Sequence, residues 1–142
     1  MMNFQAAVHE WMLRCFGSAI AADKTERSHR FLEESLELVQ AAGTTREEAL
    51  KLVDYVYGRP TGELHQEVGG TLVTLAALCQ AQGIAMEIAG ELELNRVWGK
   101  IEQIRAKQAA KPKFSPLPGH VLGDQILSGC AVRAEIQKEQ AR

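Results

Sequence analysis

Phe31-Leu-Glu-Glu-Ser-Leu-Glu-Leu38 decides how this chain folds. At helical spacing, Phe31, Leu32, Leu36, Leu38 and Val39 share one apolar arc, while Glu33, Glu34 and Glu37 fall on adjoining polar faces. A second stretch, Glu63-Leu-His-Gln-Glu67, sets two carboxylates four residues apart ahead of a long run of small or apolar residues. If the two helices face each other, their carboxylates converge. Like charges held that close repel, and each resists ionising. A bound divalent cation removes the conflict, and Mg²⁺ takes carboxylate oxygens as ligands.

Working outward, periodicity predicts an all-α chain as far as about residue 110, an antiparallel bundle of about five helices. A first helix spans roughly Asn3 to Cys15, with Phe4, Val8, Trp11, Met12 and Cys15 on one face and Gly17 as its stop. The second starts near Asp23 or Thr25 and ends at Gly43. Thr45-x-x-Glu48 is a capping box that opens a short third helix ending at Gly58. The fourth enters through Pro60-Thr-Gly and runs to Gly83, with Leu64, Val68, Leu72, Leu75, Leu78 and Cys79 over about 120° of its surface. A fifth runs from about Ala85 to Ala110, where Gly90, Leu94, Val97, Ile101 and Ile104 repeat at 4-3-4-3, the seam of a helix packed along a partner. Consecutive helices joined by short connections are expected to pack antiparallel. Residues 1–110 form the helical domain. Residues 111–142 begin as a proline-rich strap, Lys111 to Gly119, and continue as a peripheral or mobile tail whose best helical stretch is Ala131 to Gln140.

Composition narrows the function. With 142 residues, 46% of them hydrophobic, one domain can bury a core. A net charge of −2 gives no electrostatic case for nucleic acid or a membrane surface as partner. No apolar run reaches the ~20 residues of a membrane span, and the N-terminus lacks the basic start and apolar stretch of a signal peptide. Cys15, Cys79 and Cys130 have no metal-like spacing, and Cys79 reads as a small core residue. The expectation is a reduced, cytoplasmic protein.

The acidic residues admit two readings. On the second helix, Glu26, Arg30, Glu33, Glu34 and Glu37 could form an ordinary solvated face. The fourth helix weighs against that. Glu63 and Glu67 border the apolar arc and are followed on their own stripe by Gly70 and Thr74 rather than by more charge. Gly69-Gly70 in mid-helix costs roughly 1 kcal/mol per glycine relative to alanine. The space gained suits close approach of a ligand, or of another backbone at a dimer axis.

Glu33-Glu34-x-x-Glu37, a connection through a short helix, and Glu67 opening a later apolar helix resemble the all-α nucleoside triphosphate pyrophosphohydrolases of the MazG type, relatives of phosphoribosyl-ATP pyrophosphohydrolase and the dimeric dUTPases. The resemblance covers about residues 25–110 and extends to the polar and basic groups Asn95, Arg96, Lys100 and Arg105. It implies Mg²⁺-dependent cleavage of a nucleotide between its α- and β-phosphates, with Mn²⁺ able to substitute. It implies Glu34, Glu37 and Glu67 as metal ligands, and Glu33 as a ligand or the water-activating base. Arg96, Lys100 and Arg105 become candidates for phosphate contact. One departure stands out: the family's aspartate, three residues after the second-motif glutamate, is Gly70 here. Glu63, one turn earlier on the same stripe, could supply the carboxylate. Water could fill the position. Or the chain is a relative that binds nucleotide or metal without hydrolysis.

Elsewhere, His9, His29, His65 and His120 form no ligand pair, Ser128-Gly-Cys130 has no identifiable base, and Gly69-Gly70 lies in a helical pattern rather than a phosphate loop. The sequence therefore favours a MazG-like helical nucleotide pyrophosphohydrolase, assembled as a homodimer or dimer of dimers. A catalytically silent relative and a helical interaction module are the alternatives.

Overall fold

The computed structural model describes residues 3–112 and 115–117, and every regular element among them is an α-helix. Helix α1 (Phe4–Ala21) opens on Asn3, whose side chain accepts from the Ala6 N–H at 2.8 Å. Gly17, at φ 77° and ψ 171°, breaks it in a conformation that essentially only glycine adopts. The expected stop is thus present, with one further turn beyond it. Helix α2 (Lys24–Ala41) is capped by Asp23, and α3 (Arg46–Tyr57) opens with the predicted capping box. There Thr45 Oγ1 accepts from the Glu48 N–H at 3.2 Å, and Glu48 Oε2 accepts from the Thr45 N–H at 2.8 Å. Helix α4 (Leu64–Gln82) ends on Gly83 in the left-handed region, as a C-terminal glycine should.

The single fifth helix expected over Ala85–Ala110 is two: α5 (Met86–Trp98) and α6 (Ile101–Ala109). Gly99 closes α5 and Lys100, at φ −122° and ψ 20°, leaves helical geometry before α6 begins. The apolar rhythm continues across the break, which is why periodicity alone reads through it.

Helices α1, α5 and α6 pack on one another. Cys15, at 2% exposure, sits at the centre of this group with Sγ 4.0 Å from the Ile101 carbonyl. Gly90 lets α5 come close to α1, since a Cβ there would lie 3.0 Å from the Phe4 ring. Helix α2 is tied on by charge. Arg27 lies over the Phe16 ring at 5.4 Å, and Glu26 pairs with Arg27, Arg30 and Lys111. Cys79 is buried, as its place in the apolar pattern requires.

Among the described residues, α3 and the first half of α4 are the most exposed part of the fold. Helix α4 leaves α5 at 99°, so these consecutive helices are not antiparallel. Every residue from Leu50 to Thr74 is exposed. Leu64 is 78% exposed and Val73 70%. Among the described residues no single helix is long and apolar enough to cross a membrane. Residues 113–114 and 118–142 lie outside the described part, and with them the expected tail helix, Cys130 and His120.

Candidate active site

The acidic face of α2 meets α5 and α6, not α4. Glu33, Glu34 and Glu37 line a cavity of about 400 Å³ whose other walls include Glu93 and Arg96 of α5 and Lys107 of α6, with Lys111 just beyond it. Aromatic Trp11 and Phe16 of α1 close its floor. The site therefore joins an acidic wall to a basic one.

Each sequence-derived candidate has a definite place. Glu33 pairs with Arg30 Nη1, one turn back on α2. The carboxyl of Glu34 is held above its usual range. Loss of surrounding water contributes most, followed by the negative charges of Glu37, Glu33 and Glu93, with Arg96 partly offsetting them. Glu37 lines both this cavity and a larger apolar groove of about 660 Å³ between α2 and α3. Glu63 is the N-cap of α4. Its two oxygens accept from the His65 N–H at 3.0 Å and the Gln66 N–H at 2.9 Å, which lowers its pKa. Glu67 stands one turn further on, exposed, with its carboxylate folded back beside Gly62. Within one chain neither Glu63 nor Glu67 lines the cavity with Glu33, Glu34 and Glu37.

Of the three basic candidates, Arg96 is at the site. It forms a two-pronged pair with Glu93, Nε to Oε2 at 2.7 Å and Nη2 to Oε1 at 2.5 Å, which holds Glu93 ionised. Lys100 stands at the α5–α6 break, and its charge also favours ionised Glu93. Arg105 faces away. Its guanidinium holds the carbonyls of Arg14 and Cys15 and the carboxylate of Glu102.

Sequence reasoning missed Glu93, Arg27, Lys107 and Lys111 as lining residues. A signal for part of this was present. Glu93, Arg96, Lys100, Lys107 and Lys111 recur at multiples of the helical repeat. Trp11, Arg27 and Arg30 also line the cavity, but the indole N–H of Trp11 and the Nε atoms of both arginines are closed off from solvent and have no hydrogen-bond partner among the described residues.

The carboxylates of the cavity are the donor type that Mg²⁺ takes. Among the described residues no three His, Cys, Asp or Glu side chains close on a point that could hold a metal ion. No family model matches the chain, and no curated protein or solved structure is significantly similar to it.

Proposed function

We propose that this protein is a MazG-like nucleotide pyrophosphohydrolase, working in the cytoplasm as a homodimer or dimer of dimers. Its substrate is a nucleoside triphosphate or a related nucleotide, and the products are the monophosphate and pyrophosphate. The observation that carries this reading is the cavity in which Glu33, Glu34 and Glu37 face Arg96, Lys107 and Lys111. A polyphosphate needs cationic donors on its oxygens, and an attacking water needs a carboxylate to take its proton. Both kinds of group line one space large enough for a small ligand.

In the proposed reaction, water attacks the α-phosphorus, the bond to the bridging oxygen breaks, and pyrophosphate leaves with the electron pair. The proton passes to a carboxylate. By resemblance Glu33 is either a ligand or this base, and Glu34, whose carboxyl sits above its usual range, fits the base role as well. Mg²⁺, with Mn²⁺ as substitute, belongs to this reading as cofactor on the chemistry of the carboxylate donors. Glu37 and Glu67 belong to it as ligands by the same resemblance.

A catalytically silent nucleotide-binding relative is the second reading, favoured by Gly70 and by the absence of a closed ligand set within one described chain. Phosphate release in the presence of added pyrophosphatase, measured over a nucleotide panel with Mg²⁺, separates the two. Release that depends on both the metal and Glu34 supports hydrolysis. No release from any nucleotide, with retained nucleotide binding by calorimetry, leaves the silent relative.

A further inference from the structure

Two fasteners hold the start of the proline-rich strap to α2. Lys111, two residues past the end of α6, pairs through Nζ with Glu26. Pro116 accepts at its carbonyl from Nη2 of Arg30. Glu26 and Arg30 stand one turn apart and are themselves paired, Oε1 to Nε at 3.4 Å. The strap is thus fixed at two successive turns of one helix. These side chains are shielded: Lys111 is 10% exposed, Glu26 14% and Arg30 19%. Salt screens such pairs far less than exposed ones.

Proline explains the kind of contact. It has no N–H, and the residue before it is driven to extended backbone. Lys111 precedes Pro112 and Ser115 precedes Pro116, so the strap does not continue α6 and fastens through a carbonyl. Beyond the second fastener, Pro116 and Leu117 line the groove between α2 and α3, together with Leu32, Leu36 and Val39. Apolar surface on both sides is covered by that seat.

Arg30 links the strap to the acidic cavity. Its Nη1 donates to Glu33 while its Nη2 donates to Pro116. Glu33 lines both the cavity and the apolar groove, so its carboxylate stands on the ridge between them. Arg30 lines the cavity and not the groove. A free glutamate side chain samples many rotamers. A guanidinium is a planar fork that, once held at one prong, presents the other in a fixed direction.

We propose that Arg30 is the positioning residue of Glu33: the Pro116 carbonyl holds the guanidinium, and the guanidinium holds the carboxylate on the cavity side of the ridge. Residues 86 positions along the chain from Arg30 thereby support the site, and lifting Pro116 and Leu117 from α2 loosens Glu33. The inference deepens the proposed hydrolase and rests on it only for what the Glu33 carboxylate does.

The test uses the full-length chain and reads both contacts by their ¹³C resonances, the Pro116 carbonyl and the Glu33 carboxyl. Leu117→Ser weakens the apolar seat without changing any charge. Leu117 is itself 43% exposed and lies outside the packed group of α1, α5 and α6, so the variant keeps its fold. Both resonances should move in Leu117→Ser, and both should move in Arg30→Gln. A Glu33 resonance that stays in place in Leu117→Ser makes Arg30 and Glu33 an ordinary pair within one helix and overturns the proposal. Activity gives a separate readout. In Arg30→Gln, kcat should fall about tenfold to a hundredfold, the cost of a misplaced catalytic group, with nucleotide KM little changed. Arg30→Lys keeps the charge without the fork and should recover only part of the loss. Leu117→Ser should lower kcat in the same direction, and adding it to Arg30→Gln should cost nothing more, since both remove one coupling. An Arg30→Gln chain with wild-type kcat would also overturn the proposal. No hydrolysis by the wild type, with the two resonances moving together, would remove the hydrolase and leave the strap's hold on Glu33 standing.

Discussion

Arg105 donates from Nε to the carbonyl of Cys15 at 2.8 Å and from Nη2 to the carbonyl of Arg14 at 2.6 Å. Both acceptors lie just before Gly17, where the break in α1 takes away the N–H groups that a continuing helix would offer them. A side chain from α6, ninety residues later in the chain, does the work of the missing turn. The third arm of the guanidinium holds Glu102 at 3.0 Å. Arg105→Ala should therefore lower stability by about 1–3 kcal/mol, the worth of charge-assisted hydrogen bonds at a partly exposed site. Chemical denaturation measures this. Where the hydrolase reading holds, nucleotide KM should stay near the wild-type value, because the guanidinium is engaged away from the cavity. A tenfold rise in KM at unchanged stability would instead give Arg105 the phosphate contact that the resemblance implies.

Gly17 is the other half of that junction. At φ 77° and ψ 171°, any side chain is strained whatever space surrounds it, and here a Cβ would meet nothing within 4 Å. Gly17→Ala should thus cost about 1–3 kcal/mol through the backbone alone. Gly69→Ala, at an ordinary helical position that is also open, should not carry that strain. Comparing the denaturation midpoints of the two variants isolates the term, and equal midpoints would refute it.

Local grammar was readable and long-range pairing was not. Thr45 and Glu48 announce the start of α3, and Gly43 and Gly83 take the positive φ that ends a helix, because caps are settled by residues within a turn of one another. The break at Gly99–Lys100 is hidden because Val97 and Ile101 keep the apolar rhythm on both sides of it. The acidic arc of α2 was legible as an arc. Its neighbour was not, since periodicity says which face a residue occupies and nothing about what the face meets. Glu67 looked like the natural companion of Glu34, and within the chain Glu93 of α5 has that place. Helix α4 is a related case: Leu64 and Val68 mark an apolar stripe in the sequence, and both are exposed in the fold.

Glu34 should show its neighbours in the pH dependence of stability. Its folded pKa is raised, so the protonated form is favoured in the folded state and ionisation opposes folding. The stabilising contribution is fully present below the ordinary carboxyl pKa and is lost as pH rises through the raised value. Glu34→Gln removes the ionisation. Its Tm should exceed that of the wild type near neutral pH, and the gain should shrink as pH falls below about 4, where both chains carry a neutral group. Calorimetry across that range checks the sign. A variant less stable than the wild type at neutral pH would mean that the Glu34 charge is paired, not crowded. Where the hydrolase reading holds, the stabilised variant is also inactive, the trade expected of a group kept for chemistry.

Gly70 gives the most direct test of the missing ligand. The resemblance places an aspartate there, three residues after Glu67, and the position opens onto free space in the chain. Gly70→Asp adds a carboxylate one turn from Glu67 and removes a mid-helix glycine. Aspartate has the better helix propensity by a few tenths of a kcal/mol, so α4 itself should tolerate the change. With no cation present the added charge lies close to Glu67, and repulsion should lower Tm at low ionic strength. Added Mn²⁺ should then raise Tm by more in the variant than in the wild type, since a ligand that binds only the folded state stabilises it in proportion to its occupancy. A differential scan with and without Mn²⁺ reads both effects. If the variant gains no more from Mn²⁺ than the wild type does, the stripe of α4 does not face a metal, and the carboxylate of Glu67 has no part in holding one.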